Sequence, residues 1–234
     1  MHAIILAAGK GERLQEITKI VPKPMIEFEG KPILYHNLEL CKKNKISNIF
    51  INLNHLGDQI KNYFGAGEKF DVEIKYSIEN ELLGTSGAVK KIAAEYWEEK
   101  KCDEYFLVIY GDNYSQFNLE KLIQKLDTSD AIGVIAFHYR EDVEHSGVAE
   151  FDKNGRIQKF IEKPKPGESE SHWVNAGIYL FKMEILNFIP EGFSDFAKDI
   201  FPELLQKNIP LYGVCEYSEV KAFDTIEMYN KNIR

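Results

Sequence analysis

Short apolar runs alternate with segments of helical period over the first 110 residues, and no other feature constrains the fold as strongly. HAIILA, SNIFINL, VEIKYSI and EYFLVIYG have the pattern of strands, and PILYHNLELCKKNK, LGDQIKNYF and TSGAVKKIAAEYW between them have that of helices. A strand, helix, strand repeat joins neighbouring strands by crossovers, which makes them parallel and covers both sheet faces with helices. The expected fold class is therefore α/β, a Rossmann-like doubly wound, mainly parallel sheet. Ligands of such sheets collect at the carboxyl ends of the strands.

After Tyr110 the rhythm changes to AIGVIAFHY, GVAEFD, RIQKFIE and VNAGIYLF, with one hairpin turn at Asn154-Gly155. An antiparallel insertion in the second half is expected. The stretch KPKPGESESH at 163–172 is linker-like and is read as an exposed loop placed where a lid would sit. At 234 residues with 44% apolar content the chain can bury one substantial core, so 1–234 is taken as a single domain. Its net charge of -8 argues against nucleic acid and against an anionic membrane surface as partners, so any polyanion must meet locally concentrated positive charge. Cys41, Cys102 and Cys215 are odd in number and far apart, which predicts buried free thiols rather than a disulfide framework or a metal site. The apolar start is too short for a signal peptide or a membrane span, and a cytoplasmic location is expected.

The first strand runs into LAAGKGERL, a loop of small residues followed at once by Lys10 and Arg13. A dinucleotide fingerprint would need a glycine where Leu14 stands, and a P-loop would need Gly-Lys-Ser/Thr. The physics of those loops still applies: glycine lets backbone N–H groups approach an anion closely. Further on, PKP holds Lys23 between Pro22 and Pro24, which restricts the backbone that presents its ammonium.

LAAGKGER and PKP, followed in order by LLGTSGA (82–88), YGDN (110–113), FIEKP (160–164), VNAGIY (174–179) and FDTIEMYNKN, resemble the sugar-1-phosphate nucleotidyltransferases, also called nucleoside-diphosphate-sugar pyrophosphorylases. The look is nearest to the mannose and heptose 1-phosphate guanylyltransferases. The resemblance implies a nucleotide-binding half over 1–112 and a sugar-phosphate-binding half, including the antiparallel insertion, over 113–234. It places Leu6, Ala8, Gly9, Gly11, Glu79, Gly84 and Thr85 on the nucleotide, and Gly147, Glu162, Lys163, Asn175 and Gly177 on the sugar phosphate. Arg13, Lys23, Asp112 and Lys163 are the implied catalytic residues, and Asp112 with Asp224 the implied carboxylates for Mg²⁺.

Plainer readings stand beside these. Asp112 suits a turn, Asp224 followed by Thr225 suits a helix start and lacks the glycine common after it in the family, and Glu162-Lys163 suits a surface ion pair. Gly84-Thr85 opens a helix, where N–H groups would stand free at the positive end of the dipole; a plain capping role is the simpler reading and is compatible with that one. An ionised Glu79 can only accept hydrogen bonds, which matches the adjacent N–H donors of guanine better than uracil and favours GTP, with UTP, dTTP or CTP as alternatives. The partners expected are a nucleoside triphosphate and a sugar 1-phosphate, and a homo-oligomer is compatible with the sequence. No general base is required, because the acceptor phosphate is already anionic. A non-catalytic sensor of nucleotide sugars on the same fold, and a transferase acting on a cofactor precursor, are the competing readings.

Overall fold

A computed structural model of the chain describes residues 1–14, 16–97 and 103–233. The first half comprises β1 (His2–Leu6), α1 (Glu16–Ile20), the two-residue strands β2 (Glu27–Phe28) and β3 (Lys31–Pro32), α2 (Ile33–Lys43), β4 (Asn48–Leu53), α3 (Gly57–Phe64), β5 (Glu73–Ile78), α4 (Gly84–Tyr96) and β6 (Tyr105–Tyr110). The second comprises β7 (Asn113–Ser115), α5 (Leu119–Asp127), β8 (Gly133–Tyr139), β9 (Gly147–Phe151), β10 (Ile157–Glu162), β11 (Trp173–Lys182), α6 (Phe201–Gln206), β12 (Leu211–Glu216), β13 (Val220–Ala222) and α7 (Ile226–Ile233).

Strands β5, β4, β1 and β6 lie side by side and parallel, as the crossover pattern requires. Strand β11 then pairs antiparallel with β6, and β8 and β9 both pair with β11, so the antiparallel part continues the same sheet rather than forming a separate lobe. With β10 beside β9 and β12 parallel to β8, nine strands join into one sheet among the described residues. Leu38, Phe64 and Leu122 pack beneath one face, and Val89, Tyr179, Phe196 and Phe201 beneath the other. Each such side chain contributes about 1.5–3 kcal/mol of transfer free energy.

Two local features set the site. Leu6 and Tyr110 end their strands in register, and the Gly111 amide donates to the Leu6 carbonyl at 2.9 Å, so the opening loop and Asp112 leave the sheet together. Strand β11 is irregular between Asn175 and Tyr179, where Gly177 has φ +70°; a Cβ there would lie 2.8 Å from the Tyr110 ring.

Two sequence expectations resolve differently. Cys41 is buried, but Cys215 is exposed, because it lies near the end of the edge strand β12, past the covered positions Leu211 and Gly213. Cys102 falls outside the described residues. The 163–172 loop is no lid here: Ser169 Oγ donates to Glu150 Oε1 at 3.0 Å and Ser171 Oγ to the Ala149 carbonyl at 2.6 Å, which fastens it along β9. Among the described residues no helix is long and apolar enough to cross a membrane.

Candidate active site

At the carboxyl ends of β1 and β6, charge from four separate segments meets. Lys23 sits in a turn of 3-10 helix and is only 6% exposed; its ammonium donates to Asp112 Oδ2 and to Asp224 Oδ1. The Arg13 guanidinium stands 3.4 Å from the same Asp224 oxygen. Strands β7 and β13 pair antiparallel with Asn113 opposite Ala222, and that pairing brings Asp224 beside Asp112 from 112 residues further along the chain.

Burial alone would push the Lys23 ammonium down, yet the charges and hydrogen bonds of the two aspartates outweigh it, and its pKa is raised above 10.5. Burial would likewise push Asp224 up, but Lys23, then Arg13 and Lys163, hold its carboxyl below 3.8. The stabilisation from Lys23 is therefore complete below about pH 10.5 and lost only at higher pH, and that from Asp224 is present above about pH 3.8 and lost as pH falls below it. Lys23 and Asp224 are thus both charged throughout the neutral range.

Two clefts open on either side of this cluster. The larger, about 260 Å³, is lined by Gly147, Glu162, Lys163, Asn175, Gly177, Arg13 and Asp224. The smaller, about 240 Å³, is lined by Leu6, Ala8, Gly9, Glu79 and Gly84. Thr85, Tyr110, Asp112 and Asp195 belong to both, forming the wall between them. Residues expected on the nucleotide and residues expected on the sugar phosphate thus separate into adjoining compartments. Gly11 lines neither. Its φ of +65° lets the loop turn back on α1, where its carbonyl accepts from Thr18 Oγ1 at 2.9 Å. Lys23 lies under the wall rather than in a cleft.

In the larger cleft, burial pushes the Glu162 carboxyl above its ordinary value despite the nearby Lys163 and Lys198 charges. A Cβ on Gly147 would come 2.8 Å from Glu162 Oε2, so only glycine leaves that carboxylate its place. In the smaller cleft, Glu79 is 3% exposed and faces no cation; Asn52 Nδ2 donates to Oε1 at 2.7 Å and the Leu83 amide to Oε2 at 3.0 Å. Two acceptor positions of its four are so occupied, and the others remain for a ligand.

The start of α4 corrects an expectation. Its N–H groups are not free: Asp195 Oδ1 accepts from the Thr85 amide at 3.2 Å and from Thr85 Oγ1 at 3.0 Å, while the Ser194 carbonyl accepts from the Ser86 and Gly87 amides. A segment 110 residues away caps the helix, so the dipole end is already neutralised. That docking also explains the glycines, because a Cβ on Gly84 or Gly87 would collide with the carbonyl of Ser194 or Gly192. Sequence reasoning missed Phe193 and Asp195 for this reason. In the sequence, Ser194-Asp195 ahead of FAKDIFPELL looks only like the cap of its own helix, and Asp195 does make that local bond, its amide donating to Asp199 Oδ2 at 2.7 Å. Also unforeseen are Tyr110, His138, Arg140 and Lys198 in the lining of the larger cleft.

The residues that could hold a metal ion are Asp112 and Asp224. Two hard carboxylate oxygens converging beside an open cleft lined by Arg13 and Lys163 fit Mg²⁺, which takes few protein ligands and completes its octahedron with water and phosphate. Among the described residues there is no group of three or more His, Cys, Asp or Glu side chains arranged for a metal, so a tighter all-protein cage is not offered.

A protein-family model for nucleotidyl transferases matches residues 2–219. The UTP--glucose-1-phosphate uridylyltransferase of Synechocystis sp. is 37% identical over 226 residues, which cover 92% of this chain and 58% of that protein. Mannose-1-phosphate guanylyltransferase catalytic subunit beta of Drosophila melanogaster is 34% identical over 210 residues, 88% of this chain and 55% of its own length. The chain thus spans little more than half the length of these curated relatives. Among solved structures, HddC from Yersinia pseudotuberculosis, crystallised with GMP-PN, matches over 99% of this chain and 97% of its own with TM-score 0.80 and 26% identity. A Bacillus anthracis chain at 24% identity and TM-score 0.86 shares the fold.

Proposed function

Since the chain belongs to the nucleotidyl transferase family, we propose that it transfers a nucleoside monophosphate from a nucleoside triphosphate to a sugar 1-phosphate, with release of pyrophosphate. The observation that carries this reading is the pair of clefts that share one wall at Thr85, Tyr110 and Asp112, with the Lys23 cluster at their junction. A base in the smaller cleft and a hexose in the larger would bring the α-phosphorus and the 1-phosphate together over that junction.

An oxygen of the sugar 1-phosphate forms the new bond to the α-phosphorus as the bond to the β-phosphate oxygen breaks, and pyrophosphate leaves with the electron pair. Little covalent chemistry is asked of the protein; holding two polyanions in line is the main task. Arg13 and Lys163, which both face the cleft, and Lys23 beneath it compensate the charge that builds up. Asp112 and Asp224 would hold Mg²⁺, which supplies neutralisation and orientation of phosphate oxygens when bound.

GTP is the proposed donor. Glu79, a buried carboxylate in the lining of the smaller cleft, offers only acceptors to a base edge. UTP is the second reading, favoured by the activity named for the Synechocystis relative. Pyrophosphate release measured with four nucleoside triphosphates against a panel of sugar 1-phosphates tests both. GTP turnover with some acceptor is expected, and Glu79→Gln is expected to shift the GTP to UTP ratio of kcat/KM toward UTP by about tenfold, near 1.4 kcal/mol. An unchanged ratio removes Glu79 from base choice. Tight nucleotide binding without turnover for any pair would replace the enzyme by a sensor.

The slot has a further wall. Phe193 is 65% exposed at its mouth and Leu82 37% exposed beside it, a placement that leaves apolar surface in water until a flat ligand covers it. Phe193→Ala is expected to raise KM for the triphosphate roughly tenfold and to leave KM for the sugar phosphate within about twofold, as read by steady-state kinetics.

A further inference from the structure

The end of β8 carries two polar side chains in the wall of the larger cleft for which the protein provides little. His138 is 5% exposed, and while its backbone is paired in the sheet its imidazole makes no hydrogen bond to any described residue. Burial, with the Arg140 charge second, pushes its pKa down to about 4, so the imidazole is neutral and offers one donor and one acceptor. Arg140 reaches Ser146 Oγ only at 3.4 Å and Asp142 Oδ2 only at 3.9 Å, both at the outer limit of useful contact. A weakly engaged guanidinium beside an imidazole with no partner among the described residues, both on a cleft wall, leaves donors for a ligand to use.

Behind this pair lies a further compartment of about 340 Å³, which shares His138, Arg140, Val220 and Ala222 with the larger cleft. It adds Glu219, Lys221 and Lys231. Glu219 and Lys221 pair with each other at 3.0 Å, which leaves Lys231, and Arg140 with Asp142 only at 3.9 Å, as the weakly compensated positive charge here in a chain of net charge -8. Such local charge concentrates anions.

We propose that the passage between His138 and Arg140 seats an anionic group, carboxylate or phosphate, on the end of the acceptor away from its 1-phosphate, so that the favoured acceptors are sugar 1-phosphates with a second acidic function. The inference rests on the transferase reading above. A guanidinium grips a carboxylate or phosphate through two parallel N–H bonds, and the imidazole N–H adds a third donor. A neutral hydroxymethyl group in the same place gives the guanidinium no charge to pair with.

The test uses matched pairs: hexuronic acid 1-phosphates and hexose 1,6-bisphosphates against the corresponding neutral hexose 1-phosphates, in gluco, galacto and manno configuration. For at least one pair the acidic member is expected to show kcat/KM at least tenfold higher, and Arg140→Met is expected to bring that ratio to about one. His138→Phe should lower the same ratio, and Arg140→Met, on a more exposed side chain, serves if that variant does not fold. Which acidic member is favoured separates carboxylate from phosphate. Neutral acceptors equal or better in every pair, or a ratio that survives Arg140→Met, would overturn the proposal. So would Arg140-dependent binding of inorganic phosphate without any acidic preference, which would make this a site for a free anion. Calorimetric titration of the same pairs without nucleotide reports the acid preference even if no pair turns over, so a failure of the transferase reading is distinguishable from a failure of this one.

Discussion

Replacing Lys23 by alanine is expected to lower kcat/KM for the transfer by at least about 100-fold, the scale of one strong transition-state charge contact. The residue is buried, not a mobile surface cation, and its ammonium is the only one bonded to both Asp112 and Asp224 among the described residues. Its loss leaves two carboxylates facing each other, with Arg13 at 3.4 Å and the Lys163 charge as the remaining cations acting on Asp224. Both aspartates are partly exposed, so the stability cost should fall below the about 3–5 kcal/mol of a fully buried broken pair. The Asp224 carboxyl should titrate at higher pH in the variant, because the largest opposing charge is gone. Kinetics give the first effect, and titration of the Asp224 carboxyl by NMR gives the second. Activity close to the parent would remove Lys23 from the mechanism, and an unmoved Asp224 would deny the coupling.

Gly84→Ala should be nearly as damaging, by a different route. Gly84 has φ +73°, a backbone region that costs a side chain about 1–3 kcal/mol, and its Cβ would also strike the Ser194 carbonyl. The 192–195 segment would have to lift from α4, taking Phe193 from one cleft and Asp195 from both. A fall in Tm of at least about 4 °C is expected, at roughly 2–4 °C per kcal/mol for a chain of this size, with KM raised for both substrates. Gly167→Ala provides the comparison, since Gly167 also has positive φ, at +80°, but nothing lies within 4 Å of its Cβ and no cleft residue depends on it. It should cost stability alone. A Gly84→Ala protein with both KM values intact would show that the docked segment does not shape the clefts.

The parallel core was legible because its signal is local: strands β1, β4, β5 and β6 each stand in the sequence as an apolar run followed or preceded by helical spacing. The placement of Asp112 and Lys163 was legible for a similar reason, as polar residues within two positions of a strand end. The pairing of β11 with both β6 and β8 was not, since partner choice among apolar strands is settled by long-range packing. Nor was the capping of α4 by Asp195, whose own neighbours supply an adequate local explanation. His138 reads as one more alternating residue of a buried strand until its lack of a partner is visible in three dimensions.

The seam between β6 and β11 has a mechanical consequence. Five residue pairs, from Ile178 opposite Ile109 to Lys182 opposite Tyr105, stitch the two halves along a central line. A clamshell motion about that line would have to break the ladder, so in the proposed transfer any closing over the substrates would fall to small excursions of the rim segments around Arg13, Phe193 and Arg140.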